Sequence, residues 1–430
     1  MKKFLIIIAT FVISITMMFC GFGVRNVTFA ASVDTQTKIE SYLADFMKLN
    51  NDVEAAKIQD RRPGTVGEKQ AAVNIYNTIM LGSAFSNLSD VNDGSTNAGV
   101  QYFQFNNIYT GLSSKSQNLR FIKRSSLSDG KKIIIGTSYD NTPYVAEDKY
   151  FDTVSSAANV ATLLYIAEYI SGLTQELLFD VEIVFFGAGT SNYAGAYSYI
   201  DTMTEKEIDN TLLFINLDQI LIGQNLYVYS NEVKTSAESY INETFKNVGV
   251  KFAEFNSKTT LNSYYSGKFA YSHRGMEGNN IAFMQHDILS INIFSGYYER
   301  MGYREEYEGA NNIVGTAKDT YTNVDYLYGF DNLGDIASAI TGLLVDETAA
   351  YNLSKEDKAN SSLNFWLNEK YAIMFMVIIG FIFSMLYVYI YYSHKRKAEK
   401  IVREKGVSGI LRDITRIENG TPDREDNKNE

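Results

Sequence analysis

The chain has 430 residues, 45% of them apolar and 21% charged, which excludes a disordered polymer. A formal charge of −11, from 39 basic and 50 acidic side chains, excludes the basic footprint of a nucleic-acid binder. One cysteine excludes a disulfide framework, and three histidines leave little material for a histidine-rich metal site.

Lys2 and Lys3 precede an apolar run over residues 4–20, and small residues follow at Ala30 and Ala31. This order predicts a secretory signal over residues 1–31, cleaved near Ala30 or Ala31. The run is also long enough for an uncleaved N-terminal anchor. Phe19 is too bulky to precede a lipid-modified Cys20.

Ile39, Tyr42, Leu43, Phe46 and Met47 then recur at helical spacing. Residues 118–123 and 132–136 read as strands, and Val160, Leu163, Leu164, Ala167 and Ile170 as a helix. Residues 181–186, 211–217 and 288–294 are further strands, and residues 336–344 a closing helix. Continuous apolar strands alternating with helices predict an α/β domain over residues 32–366, with a mostly parallel central sheet flanked by helices. Ligands of such sheets collect beyond the C-terminal strand ends. Chemistry is therefore expected at residues 137–141, 188–192 and 218–223, and in the loop before a helix starting near Val154.

Residues 371–392 carry no charge and are long enough to cross a bilayer as one helix. Trp366 and Tyr371 at one end, and Tyr387, Tyr389, Tyr391 and Tyr392 at the other, suit the membrane interface. His394-Lys395-Arg396-Lys397 places the tail, residues 393–430, in the cytoplasm, and residues 32–366 outside. In the tail, Ile410, Leu411, Ile414 and Ile417 predict one short amphipathic helix, with the rest flexible. An exported domain without disulfides, rich in Ile, Asn, Lys and Tyr, fits the cell membrane of a Gram-positive bacterium.

Several of these segments resemble one family. Arg62-Pro63-Gly64-Thr65 looks like its early turn, residues 133–140 like its strand ending in G-A-H-Y-D, and residues 157–164 like the helix after its G-A-D-D-N-A loop. Phe185-Phe186-Gly187-Ala188 is similar to F-F-G-A-E-E, Ile215-Asn216-Leu217-Asp218 to I-N-L-D, residues 278–291 to its S-D-H stretch, and residues 315–320 to its closing H-T-P-x-D-T. The family is that of the exported di-zinc aminopeptidases, related to glutaminyl cyclases, and the resemblance implies their zinc-exopeptidase fold.

The resemblance does not carry the chemistry. Its metal positions read Ser138, Ser155, Thr190, Asp218 and Gly315 here, and its general-base position reads Gly189. Serine and threonine hydroxyls are poor zinc ligands and glycine offers none, so no cofactor, zinc included, is expected. Without metal or base no water is activated, so no catalytic residue is expected. His273 and His286, the histidines before the apolar span, lack partners in sequence for a zinc site, and Asp140 with Asp218 falls short of a calcium set. Asp140 is expected to cap backbone. No nucleophile elbow and no phosphate-binding glycine motif is present.

Asn279 and Asn280 replace the S-D-H polar pair, and two tyrosine-rich loops hold Tyr264, Tyr265, Tyr297, Tyr298 and Arg300. With Asp140, these are the candidate ligand-binding residues, since Tyr and Arg favour recognition surfaces. The expected function is a membrane-anchored, non-catalytic pseudo-peptidase that binds a peptide, a cell-wall fragment or a membrane-protein partner. The alternatives are an active metallo-exopeptidase with an atypical metal site, and a structural subunit packing through Gly380 and Ser384.

Overall fold

The computed structural model describes residues 33–47, 60–141, 145–146, 149–150, 154–222, 225–230, 235–250, 252, 278–296, 319–321, 331–354 and 369–420. In chain order these form helices α1 (Val33–Met47) and α2 (Val66–Leu81), then strands β1 (Ser89–Asp90), β2 (Val100–Asn106), β3 (Ser113–Lys123) and β4 (Lys132–Ser138). A short hairpin, β5 (Val145–Ala146) and β6 (Lys149–Tyr150), leads to α3 (Val154–Gly172) and β7 (Asp180–Phe186). Next come α4 (Ala194–Ile200), α5 (Glu205–Asp209), β8 (Thr211–Leu217), β9 (Asn225–Ser230) and α6 (Thr235–Asn247). The series ends with α7 (Asn280–Met284), β10 (Ser290–Gly296), α8 (Asp331–Val345), α9 (Ala349–Ser354) and α10 (Glu369–Glu418).

β7 and β8 bury every side chain, and β4 all but its last, because each is an apolar run with few interruptions. Such strands are stable only with both faces covered. They occupy the middle of an eight-stranded sheet of order β1-β3-β7-β4-β8-β10-β9, with β2 also pairing β3. β4 runs parallel to β7 and β8, and β8 parallel to β10. The edges, β3 on β7 and β9 on β10, are antiparallel, as are β1 and β2 on β3. This is the expected mostly parallel α/β fold, bordered by antiparallel edges.

The strand period of two divides the core into two layers. Ile133 and Ile135 of β4 join Ile215 and Ile291, and with them pack Leu163 and Ala167 of α3, Leu43 of α1 and Ile340 of α8. Ile134 faces the other way, with Val184, Phe186, Tyr199, Phe214 and Phe283. There Phe214 of β8 stacks on Phe283 of α7 with centroids 3.7 Å apart.

The second layer contains an ionic cluster. Glu182 of β7 accepts from Arg120 Nε at 2.8 Å and lies 3.2 Å from Lys132 Nζ. Arg120 also reaches Asp93 at 3.0 Å and lies over the Tyr199 ring. Burial opposes every charge here, but Lys132 and Arg120 outweigh it at Glu182 and hold its carboxyl below the ordinary value.

The expected elements 39–47, 118–123, 132–136, 181–186, 211–217 and 336–344 all fall within observed ones. The strand expected from residue 288 starts at Ser290 instead, because Asp287 adopts φ 56° and Ile288 and Leu289 are buried ahead of the ladder. The predicted signal, residues 1–31, lies outside the described residues.

Residues 358–430 form a separate unit. Within it, 376–404 is one helical stretch long and apolar enough to cross a membrane. The tail differs from expectation. Residues 393–405 are helical, with Lys395–Glu399 and Lys400–Glu404 pairs four residues apart. Such spacing supports an exposed helix. The helix is interrupted at Gly406, φ 68° and ψ 163°, and the expected amphipathic segment follows it.

Candidate functional site

Beyond the C-terminal ends of β4, β7 and β8 lies a cleft of about 490 Å³. Ser138, Gly189, Thr190 and Asp218 reach it from three successive strand ends, and Asn279 from the start of α7. The Thr137 hydroxyl donates to Leu217 O at 2.8 Å, fixing the ends of β4 and β8 to one another. Asn159 of α3 accepts from Ile220 N at 3.1 Å, fastening the loop after β8. A smaller cavity of about 250 Å³, beside Tyr42 and Asn74, involves none of the strand ends.

Asp140 is buried, and both of its oxygens serve one turn. Its Oδ1 accepts from Gly189 N at 2.8 Å, and its Oδ2 from Thr190 N at 2.9 Å and Thr190 Oγ1 at 2.6 Å. The carboxylate thus caps backbone, across the sheet and 49 residues further on. The Ser138 hydroxyl meets Asn279 Nδ2 at 2.9 Å, and Asn279 Nδ2 also donates to Asn216 Oδ1 at 3.0 Å. Asn216 in turn donates to Asn292 Oδ1 at 2.7 Å. Asn280 is fully buried and accepts from Gly278 N at 2.7 Å, so it shapes the turn instead of lining the cleft.

Ser155 is not among the described residues lining the cleft; its neighbour Ser156 is. The buried Asp319 accepts from Val154 N and Ser155 N, both at 3.1 Å, and from the Ser155 hydroxyl at 2.6 Å. It therefore caps α3 from 164 residues away. Gly315, Tyr264, Tyr265, Tyr297, Tyr298 and Arg300 lie outside the described residues. His286 is exposed and does not line the cleft.

Three further residues were not identifiable as site elements from sequence. Arg61, fully buried, donates from Nε to Tyr139 O at 3.0 Å and from Nη2 to Ser156 Oγ at 2.7 Å. Glu68 of α2 accepts from Gly64 N at 2.6 Å, Ser116 Oγ at 2.7 Å and Ala188 N at 2.8 Å. Tyr109 donates to Thr190 O at 2.7 Å. Apart from the Glu68 bond to Gly64, four residues away, these contacts span 48 to 120 residues, beyond any local pattern.

Burial, with the nearby Asp140 carboxylate adding to it, pushes Glu68 up to about 8, against the pull of its three donors. A raised carboxyl stabilises the fold fully below its ordinary value of 4.5, and that contribution is lost as pH rises through about 8. Relative to the wild type, Glu68→Gln is expected to flatten the dependence of the urea midpoint on pH between 5 and 9. An unchanged dependence would contradict the placement.

The donor set does not fit a pair of zinc ions. Both Asp140 oxygens are held by the 189–190 turn, and the Thr190 hydroxyl is spent on Asp140. A Cβ at Gly189 would overlap the Ser138 hydroxyl and stand 2.6 Å from Ser138 Cβ. Among the described residues, no three His, Cys, Asp or Glu side chains come together as a metal would require.

Backbone strain nevertheless concentrates here. Ala188, Asn192, Tyr193 and Gln219 all have φ between 50° and 56°, and all but Ala188 line the cleft. Non-glycine residues at positive φ persist where the surrounding structure holds them, and they cluster at sites of function.

Residues 132–341 match the model of peptidase family M28. A glutaminyl cyclase from an Acidobacteriales bacterium is similar over 73% of this chain and 94% of its own, at 13% identity and TM-score 0.51. A Zn-dependent exopeptidase from Parabacteroides distasonis ATCC 8503 is similar over 75% of this chain and 100% of its own, at 13% identity and TM-score 0.50. BSAP, a zinc aminopeptidase from Bacillus subtilis, shares 17% identity over 59% of this chain, with TM-score 0.39. The match spans about half, 53%, of that aminopeptidase. The likenesses to the glutaminyl cyclase and the Zn-dependent exopeptidase establish the fold. No curated protein matches the chain.

Proposed function

We propose, because residues 132–341 match the model of peptidase family M28, that the chain is a non-catalytic member of that fold which retains the substrate cleft as a binding site. The carrying observation is that Thr190 bonds to Asp140 while Ser138 fills the space beside Gly189. Thr190 and Ser138, at two of the positions where the family's chemistry would sit, are thus engaged with neighbouring side chains. Asp218 alone among the five positions keeps a carboxylate, and one carboxylate neither holds two zinc ions nor replaces a general base.

In the same reading, residues 1–31 are a signal or anchor, residues 32–366 the extracytoplasmic domain, 371–392 the span and 393–430 the cytoplasmic tail of a bacterial membrane protein. The apolar helical stretch 376–404 supports the anchoring part, and the basic residues after it support the sidedness.

The test uses the purified full chain in detergent. Zinc is measured by mass spectrometry, and leucine p-nitroanilide hydrolysis is followed with and without chelator. Substoichiometric zinc and no chelator-sensitive turnover are expected. A stoichiometric zinc pair with turnover abolished by chelator would establish the active exopeptidase instead.

A further inference from the structure

We infer that the outer edge of β2 takes up an extended polypeptide segment as an added strand and leads it to the cleft. This rests on the reading above that the cleft is a binding site. It goes further in naming the ligand class and the element that grips it.

Among the described residues β2 pairs with β3 alone, in a register unbroken from Val100↔Leu119 to Asn106↔Ser113. In an antiparallel pair, successive residues turn their N–H and C=O alternately toward the partner and away from it. Gly99 O accepts from Arg120 N at 2.7 Å, and Asn107 N donates to Leu112 O at 2.9 Å. The odd-numbered residues between them therefore face β3. Val100 faces the other way and exchanges both of its bonds with Asn97, each 3.1 Å long. By the same alternation Tyr102 and Gln104 turn their backbone groups outward, where no described residue meets them. Both side chains are exposed, that of Tyr102 by 73%.

Natural sheets guard such edges with lysine, proline, a bulge or a very short strand. β2 has seven residues and no bulge, and residues 94–114 hold neither proline nor charge in a chain that is 21% charged. An unguarded edge is a template for another strand, whose backbone ladder supplies affinity while alternate side chains supply choice. Tyr102 and Leu112 offer exposed apolar surface beside that ladder. The edge is also formed in advance. Gln101 is buried, donates from Nε2 to Ser198 O and Thr202 Oγ1, both at 3.1 Å, and accepts from Asn118 Nδ2 at 2.9 Å. Binding therefore orders only the incoming segment.

Position ties the edge to the cleft. Where β2 ends, Asn106 O accepts from Ser191 Oγ at 3.4 Å, and Ile108 N donates to the same hydroxyl at 3.2 Å. With the Tyr109 bond to Thr190 O, these fasten the end of β2 to the 189–191 turn. Ile108 and Tyr109 themselves line the cleft. A segment laid along Tyr102 and Gln104 thus has one end at the cleft mouth. A second copy could offer its own β2, but that strand continues into the 107–112 turn and has no end to enter the cleft.

The experiment pans a phage-displayed library of random linear heptapeptides against the full chain in detergent. The enriched peptides are synthesised and titrated by calorimetry. Wild type is expected to enrich peptides, and Gln104→Pro to weaken them about tenfold. Proline removes the outward N–H and blocks the edge, while the bonds to β3 stay intact. Gln104→Thr is expected to retain binding. N-methylation of each peptide residue in turn, against wild type, should weaken binding at alternate residues only, and this needs no variant to fold. Thermal unfolding establishes that each variant folds. Any of five results overturns the inference: no enriched peptide from a cooperatively folded wild type; affinity unchanged in folded Gln104→Pro; loss in Gln104→Thr as complete as in Gln104→Pro; N-methylation losses without alternation; or a wild-type dimer in sedimentation that Gln104→Pro abolishes and that binds no peptide. The zinc and hydrolysis assay judges the non-catalytic reading separately, so failure of one is distinguishable from failure of the other.

Discussion

Glu182→Ala is expected to destabilise the α/β domain by about 3–5 kcal/mol, the cost of breaking a buried ion pair by removing one partner. Glu182 is 1% exposed and faces two cations, Arg120 at 2.8 Å and Lys132 at 3.2 Å. Removing it leaves both charges inside the sheet layer, with Asp93, itself partly exposed, as the remaining carboxylate of the cluster. Burial opposes the Lys132 charge, and of the Tyr199 and Glu182 partners that hold it above its ordinary value only the Tyr199 hydroxyl, 3.4 Å away, would remain. The triple change Arg120→Met, Lys132→Met, Glu182→Leu should recover much of the loss, because apolar side chains of similar volume carry no desolvation cost. Chemical denaturation of the full chain reads both effects. A loss under about 1 kcal/mol in Glu182→Ala would show that water reaches the cluster.

Restoring a glutamate at the general-base position is expected to fail in two ways. Gly189→Glu should create no hydrolysis, and it should lower stability by about 1–3 kcal/mol, the usual cost of forcing atoms into filled space. Its Cβ would overlap the Ser138 hydroxyl, stand 2.6 Å from Ser138 Cβ and lie 3.2 Å from Asp140 Oδ1. The new carboxylate would also enter next to an existing one. Ser138→Gly removes the overlapping atoms, so Ser138→Gly with Gly189→Glu should be less damaged than the sum of the two single changes. A double-mutant cycle measures that coupling. Additivity would show that the two positions do not meet, and a gain of leucine p-nitroanilide turnover in Gly189→Glu would show that the cleft still holds metal.

Both predictions concern contacts that local sequence patterns do not contain. Arg120, Lys132 and Glu182 stand on three strands whose order in the sheet, β3-β7-β4, is not their order in the chain. Isolated charges within apolar strands read equally well as edge residues. The antiparallel edge strands β1, β2 and β9 also escaped, since Val100–Asn106 alternates buried and exposed residues weakly and Ser89–Asp90 is only a bridge-length pairing. The tail shows the opposite error: charge density reads as disorder, yet its i, i+4 spacing of Lys and Glu supports a helix until Gly406 breaks it.

What the sequence determined was the alternation of strands and helices, the segments in which chemistry had to be sought, and the residue types that occupy them. Short apolar runs of five to seven residues suit strands buried on both faces, and a hydroxyl or a glycine stays a poor zinc ligand in any fold. Tertiary structure alone decided how those residues are used. It turned Asp140 onto the 189–190 turn, placed Asp319 over the start of α3, aimed Glu68 at Ala188 and joined Ser138 to Asn279 across 141 residues. Each is a hydrogen bond between groups brought together only when the sheet is assembled, and a buried polar group takes whichever partner that assembly leaves beside it.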